Sequence, residues 1–351
     1  MIEKLFKENL QNFVPYNVPK LDYEIKLDAN ESFLKLDDYM MGKILNKIKN
    51  VEFNRYPDAG AEKVCGVYSK YLGIKKENIM AGNGSDELIQ IIIATLVDKN
   101  ENIMTVEPDF SMYGNYAGIG GGKALTFELD EEFNLDENKL IEKVNEEKVK
   151  VLFLSNPNNP TGKVLNKEQI FKILKGCNCA VVIDEAYVEF YEESIVESIY
   201  EYENLIVLRT CSKAMASAAI RLGFLITNSL LLNEIKKAKP PFNVSSVTQA
   251  IGEVILEEID YINNSLEKIK GERSFLVDKL NAFKEIKLYP TCANFVLVKF
   301  KDAEFVYKYL LENKIVVRNY KQGRLKDFLR ITVGSREENE AVIDNLSKIL
   351  K

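Results

Sequence analysis

The sequence predicts an α/β protein: a mostly parallel seven-stranded sheet sandwiched by helices, with a smaller α+β unit attached. Three observations carry this. From about residue 60 to 230, short β-rich runs alternate with stretches of helical periodicity, the signature of a parallel sheet with helices on both faces. Runs such as VLFL and AVVI are apolar throughout, as strands buried on both faces must be. After Pro240-Pro241, which breaks a helix on either side, the pattern changes to long helices and a few isolated strands.

Taken in order, residues 37–49 place Met40, Met41, Ile44, Leu45 and Ile48 on one helical face. Seven strands are expected at 78–81, 102–106, 123–127, 149–155, 180–184, 205–209 and 223–227, with helices such as 86–97, 136–144 and 167–174 between them. Beyond the two prolines, helix is expected to about residue 280. A strand (294–300), a helix (303–312), short strands around Val316 and over 329–332, and a terminal helix follow. This divides the chain into a large domain, 52–240, and a small one built from 1–51, including an N-terminal arm, and 241–351. No internal repeat or low-complexity tract interrupts it.

Composition narrows the chemistry. With no histidine, a Ser-His-Asp or Cys-His triad is excluded and the commonest metal ligand is missing, so proton transfer falls to Lys, Tyr, Cys or a carboxylate. The formal charge of −6 gives no electrostatic footprint for nucleic acid, although a local basic pocket for a small anion stays open. The longest apolar run, 91–97, is far short of the roughly 20 residues of a membrane span, and the N-terminal segment lacks the apolar stretch of a secretory signal. Five scattered cysteines, with one Cys177-x-Cys179 pair and no histidine to complete a zinc set, read as free thiols of a reducing cytoplasm, with no metal site.

Four features fall at the same end of predicted strands. Gly82-Asn83-Gly84-Ser85-Asp86-Glu87 opens a helix, with Ser85 or Asp86 as N-cap; its free N–H groups suit a phosphate, although an ordinary βα turn has the same composition. Asn156-Pro157-Asn158-Asn159-Pro160-Thr161-Gly162 makes a rigid polar loop at a strand's carboxyl end, where α/β sheets bind ligands; a tight surface turn is the plainer alternative. Asp184 ends the strand AVVID, where burial is costly unless the carboxylate meets a cation or caps the next segment. Lys213, in Thr210-Cys211-Ser212-Lys213 with Arg221 eight residues on, can serve as a Schiff-base nucleophile, but alone it is one of 47 basic residues.

In combination, NPNNPTG, DEAY, SKA and a downstream Arg-Leu-Gly resemble the pyridoxal 5′-phosphate enzymes of the aspartate-aminotransferase fold (fold type I) across nearly the whole chain. Within that fold, Leu27-Asp28-Ala29-Asn30-Glu31, Arg55-Tyr56-Pro57-Asp58, the segment LRITVG from Leu329 and Tyr16 resemble the histidinol-phosphate aminotransferases. The resemblance implies that Lys213 carries the cofactor covalently and, once freed, moves the proton at the substrate Cα. It implies that Asp184 pairs with the protonated pyridine nitrogen, an arrangement that keeps the ring an electron sink. Asn158 and Tyr187 are implied to hydrogen-bond the ring oxygen, and Phe110 to stack on the ring. The same likeness assigns the cofactor phosphate to Ser212, Arg221 and the N–H groups of Ser85 and Asp86, with Tyr56 reaching it from the other subunit of a homodimer.

For substrate, the resemblance implies a compact anion pocket from Arg330, Arg318, Tyr16 and Asn30. One guanidinium pocket suits phosphate and carboxylate alike, so histidinol phosphate and glutamate or 2-oxoglutarate would share it in turn. The implied activity is amino transfer between these substrates, in histidine biosynthesis. A threonine-phosphate decarboxylase or an aromatic amino acid aminotransferase would use the same cofactor residues. Met215 and Ile220 stand where relatives usually carry Phe and Leu, which implies altered packing behind Lys213.

Overall fold

A computed structural model describes residues 5–10, 13–15 and 21–350. The large sheet comprises β2 (Ile79–Gly82), β3 (Asn102–Glu107), β4 (Lys123–Glu128), β5 (Val151–Ser155), β6 (Ala180–Asp184), β7 (Leu205–Thr210) and β8 (Gly223–Thr227). Their order is β2-β8-β7-β6-β5-β3-β4; β8 runs antiparallel to both neighbours and the other pairings are parallel. This is the seven-stranded, mostly parallel sheet the sequence predicts.

The alternation along β5 shows why its run is apolar throughout. Val151 and Phe153 join one core cluster with Tyr113 and the helix α3 (Gly84–Leu96), whereas Leu152 and Leu154 join the larger cluster on the opposite face. Both faces are covered, so neither can carry polar residues.

The second sheet draws on both ends of the chain. Its order is β1 (Ile25–Leu27), β11 (Ile315–Asn319), β12 (Phe328–Thr332), β10 (Phe295–Lys299) and β9 (Lys287–Leu288). β1 pairs in parallel with β11, which brings the segment after Leu27 beside the C-terminal strands. The expected helix near residue 40 is α1 (Asp38–Ile48), but its apolar face is narrower than the sequence suggests. Met40 and Ile44 are buried while Met41 and Leu45 lie exposed, because α1 packs on α8 (Ser246–Glu257) through one stripe and its flank stays open. Two further helices, α2 (Glu62–Leu72) and α4 (Met112–Gly120), were not singled out from the sequence. The first has no side-chain cap, and α4 holds Gly114, Gly118 and Gly120, which weaken a helical reading.

Among the described residues all five cysteines are free, no helix is long and apolar enough to cross a membrane, and no group of three or more acidic or thiol side chains is placed to hold a metal.

A buried ionic cluster fixes the segment that follows β6. Arg209, near the end of β7, donates from Nε to Glu185 (2.7 Å), from Nη1 to Glu189 (2.8 Å) and from Nη2 to the Ser194 hydroxyl (2.8 Å). Glu185 also accepts from the Ile195 N–H at 2.9 Å, so its charge is fully hydrogen-bonded. The arginine, Glu185 and Glu189 are all almost fully buried. Replacing Arg209 by Met should leave two buried carboxylates without a cation, a loss of about 3–5 kcal/mol. We expect a lower melting temperature for Arg209→Met, with the deficit smaller at pH 5 than at pH 8, because acid lets the stranded carboxylates take up protons.

Candidate active site

The cleft is formed where the carboxyl ends of β3, β5, β6 and β7 face β12 of the second sheet and the segment after β1. At its floor, α3 starts at Gly84 with Asn83 in the N-cap position, so Ser85 and Asp86 lie in the first turn and neither is the cap. Glu87 performs the capping instead: its carboxylate accepts from the Asn83 N–H (2.7 Å) and from the Asn83 and Asn243 side-chain amides (3.1 and 2.6 Å). The first-turn N–H groups of Ser85 and Asp86 are thereby left for a ligand, at the positive end of the helix.

Arg221 lies against this turn. A Cβ on Gly84 would sit 2.5 Å from its Nη2, so only glycine admits the guanidinium there. Arg221 reaches the Ser212 hydroxyl (3.3 Å) and the Asp86 carboxylate (3.2 Å), the second of which holds it over the helix terminus. Gly223 permits the close approach of β8: its Cβ would lie 2.6 Å from the Gly84 carbonyl carbon and 2.8 Å from the Ser85 nitrogen. The structure thus brings Ser85, Asp86, Ser212 and Arg221 into one cup with the donors a phosphate needs.

Asp184 is buried and, among the described residues, meets no cation. It accepts from the Tyr113 hydroxyl (2.9 Å) and the Ala186 N–H (3.1 Å). Burial, only partly offset by these bonds, pushes its carboxyl up to about 6. Lys213 is half-buried and donates from Nζ to the Ala29 carbonyl (2.8 Å), with no carboxylate partner among the described residues. Burial first, then the positive field of Arg330, brings its amine down to about 8. A buried carboxylate awaiting a cation, an amine drawn toward neutrality and a phosphate cup are what the expected pyridoxal phosphate requires, and the residues fit it.

Around these groups, Tyr187 accepts from the Asn30 side-chain amide (2.9 Å), leaving its own hydroxyl hydrogen free. Asn30 has φ of 53°, a left-handed conformation that asparagine tolerates. Its Oδ1 accepts from Thr332 (3.2 Å), so the side chain orients Tyr187 as well as facing the cleft. Phe110 packs edge-on against Tyr113, ring centroids 5.4 Å apart, and Tyr113 stacks on Phe153.

The expectation for Asn158 needs correction. Its Oδ1 accepts from the Thr161 N–H and hydroxyl (3.1 and 2.6 Å), and its Nδ2 is directed to the Pro108 carbonyl and Ser155 hydroxyl (both 3.3 Å), so the amide is spent inside its own loop. The neighbouring Asn159 is the one presented to the cleft, accepting from Arg330 Nη1 at 2.5 Å and keeping its own Nδ2 without a partner among the described residues. Turn chemistry alone does not tell two adjacent asparagines apart.

Arg330 is buried, with Nη2 on the Asp28 carbonyl (2.6 Å) and Nε without a hydrogen bond. Arg318 stands directly opposite it in the β11–β12 register, on the same face, and is exposed. Among the described residues neither arginine has an acidic partner. Tyr56 is 82% exposed and stacks on Phe242. Tyr16 lies outside the described residues. Met215 is buried behind Lys213, and Ile220 is half-buried.

Tyr113, Asp109 and the Ala29 carbonyl are site elements the sequence reading did not name. Tyr113 follows Phe110 by three positions, a spacing that puts both rings on one side of the turn entering α4. Asp109 accepts from the hydroxyl of Ser155 and the N–H of Phe110 (2.8 Å), and burial pushes it up to about 7.

Two outcomes should follow from the displaced ionisations. Covalent loading of pyridoxal phosphate onto the cofactor-free protein should accelerate as pH rises through about 8 and level off above it, since the neutral amine is the nucleophile. An ordinary lysine would keep accelerating toward about 10.4; stopped-flow absorbance of the bound cofactor measures this. Asp184→Asn should stabilise the cofactor-free protein at pH 7.5 by roughly 1–3 kcal/mol, because it removes a buried uncompensated charge. The gain should shrink to about half at pH 5, where the native carboxyl is largely protonated but the unfolded one is still charged, and should vanish only below about pH 4; thermal melts across this range check it.

Comparison with known proteins places this geometry. Residues 24–346 match the family Aminotransferase class I and II. The chain is 89% identical over 351 residues to the histidinol-phosphate aminotransferase of Clostridium kluyveri, covering 100% of both. It superposes on the crystal structure of the histidinol-phosphate aminotransferase from Clostridium acetobutylicum with a TM-score of 0.86 at 28% identity, covering 93% of this chain and 98% of that one. It shares the fold of the Sinorhizobium meliloti histidinol-phosphate aminotransferase, solved in complex with pyridoxal 5′-phosphate, with a TM-score of 0.90 at 23% identity, covering 98% and 97%.

Proposed function

This chain belongs to the aminotransferase class I and II family, and on that premise we propose that it is a pyridoxal-phosphate-dependent histidinol-phosphate aminotransferase of histidine biosynthesis, exchanging an amino group between L-histidinol phosphate and 2-oxoglutarate to give imidazole acetol phosphate and glutamate. The observation that carries the substrate choice is the cross-strand pair Arg318–Arg330. Like charges placed directly opposite on a sheet repel, and among the described residues no acid neutralises them. An anion bridging both relieves the repulsion, and a phosphate or a carboxylate meets the same donors.

The cofactor, when bound, supplies the electron sink that stabilises negative charge at the substrate's Cα. In this reading Lys213 holds the cofactor and then moves the proton at Cα, a task suited to an amine near neutrality. Asp184 keeps the ring nitrogen protonated, and Tyr113 holds Asp184 in place. Tyr187 donates its free hydroxyl hydrogen to the ring oxygen, and Asn159 takes the amide role first assigned to Asn158. Phe110 covers a ring face, while Ser85, Asp86, Ser212 and Arg221 hold the phosphate.

The reading extends to a cytoplasmic homodimer. Tyr56 and Phe242 stack on one another while both are exposed, an apolar pair that a second copy would cover. Tyr56 would then reach the partner's phosphate cup. The division into 52–240 and a smaller unit of 1–51 with 241–351 belongs to the same reading, and the pairing of β1 with β11 supports it.

The test is the half-reaction of the cofactor-loaded protein, followed by its absorption spectrum. Histidinol phosphate should convert the aldehyde form of the cofactor to its amine form faster than phosphothreonine, phenylalanine or aspartate, and 2-oxoglutarate should reverse it. Arg318→Ala should raise KM for histidinol phosphate about tenfold or more, the loss of one charge-assisted contact. Release of carbon dioxide from phosphothreonine at a higher rate would assign a decarboxylase instead.

A further inference from the structure

We propose, on the strength of the reading above, that Asp109 is a positioning residue: through the Ser155 hydroxyl it sets the amide loop that holds Arg330, and so tunes the substrate-anion pocket from the far side of the cleft. The carboxylate sits just after β3 and makes four contacts. Oδ1 accepts from the Ser155 hydroxyl and the Phe110 N–H, and Oδ2 from the Ser155 N–H and the Thr105 hydroxyl (both 3.3 Å). Among the described residues no cation meets it, so these donors alone account for its place.

Ser155, at the tip of β5, is the hub. While donating to Asp109, its oxygen accepts from the backbone N–H of Asn159 (3.0 Å) and lies 3.3 Å from the Asn158 amide nitrogen. Asn159 in turn binds Arg330 Nη1. One hydroxyl therefore separates Asp109 from the residue that binds the guanidinium, and the link crosses from the large sheet to the small one. The same carboxylate also fixes the backbone of Phe110, so the ring-covering residue and the amide loop are tied to one anchor.

An asparagine substituted at this position cannot reproduce the arrangement. A carboxylate offers acceptors on both sides, whereas an amide offers one oxygen. Whichever way the side chain of Asp109→Asn turned, its NH2 would face a backbone N–H, that of Phe110 or that of Ser155, neither of which can rotate away.

The experiment compares Asp109→Asn, Ser155→Ala and the double variant, all cofactor-loaded at pH 8. Each single variant should raise KM for both histidinol phosphate and 2-oxoglutarate about five- to tenfold with kcat changed less than about twofold, the mark of weakened ground-state binding. The double variant should be no worse than the weaker-binding single, as for two residues on one path. Hydrogen exchange of the segment 156–163 should quicken in all three to the same extent, and this readout needs no turnover. Wild-type KM in Asp109→Asn, effects that multiply in the double variant, or unchanged exchange in the segment would each overturn the proposal. Absence of turnover with histidinol phosphate in the unmodified protein would instead fault the functional reading, with the exchange data still judging the link.

Discussion

The site depends on an electrostatic deficit: a buried carboxylate and a half-buried amine share one cleft, neither with a partner of opposite charge among the described residues. Asp184 receives a hydroxyl and an N–H where a cation would neutralise it, and Lys213 rests on a carbonyl where an acid would hold its proton. Each burial costs stability in the absence of ligand, because an ion moved from water into protein is stabilised only by what it meets there. The contrast lies nearby. Glu185 and Glu189, on the other side of the same turn, are buried with Arg209 and fully paired. The fold therefore can give a buried carboxylate a cation at this strand tip, and among the described residues it gives Asp184 none. A ligand that brings a positive ring nitrogen and an aldehyde completes both groups at once.

Placement follows from topology. Parallel strands put their carboxyl ends on one edge, so Asp109, Ser155, Asp184 and Lys213, far apart in sequence, follow β3, β5, β6 and β7 to a common rim. The small sheet supplies the opposing wall. Pairing of β1 with β11 carries Ala29 and Asn30 to that wall, where Ala29 receives Lys213 and Asn30 orients Tyr187. Lys213, Tyr187 and Arg330 are thus each held by atoms from another segment, and the two sheets cannot shift independently without disturbing all three.

Much of this was legible in the sequence because the physics is local. Continuous apolar runs such as VLFLS can only be doubly covered strands, and residues at their ends can only lie at the sheet's rim. The rim positions of Asp184, Ser212 and Lys213 were readable for that reason, whereas their roles, and that of Arg221, rested on the resemblance of the motifs. What escaped depended on side-chain direction or on contacts between distant segments. Asn158 and Asn159 share one loop, and only the Ser155 and Thr161 contacts reveal which of them turns inward. The N-cap was misplaced because the helix begins earlier, at Gly84 after Asn83, whose side chain is held by Glu87 and leaves the first-turn N–H groups uncapped. Met41 and Leu45 followed helical periodicity, but a packing partner on one side only is a property of the assembled fold.

The missing histidine gives these shifts a common sense. Proton transfer near neutral pH ordinarily draws on imidazole, whose unperturbed ionisation already lies there. This chain contains none, and three groups of other types are moved into the same range by burial: Asp184 up to about 6, Asp109 up to about 7 and Lys213 down to about 8. Carboxylate and ammonium approach neutrality from opposite sides because low dielectric disfavours charge of either sign. A single physical cause, burial at the rim between the two sheets, thus moves all three toward neutrality, and it makes Lys213, the group placed to move a proton, suited to amine chemistry without a side chain built for the purpose. The same burial strengthens the hydrogen bonds that hold those groups, so the geometry and the ionisation of the site have one origin.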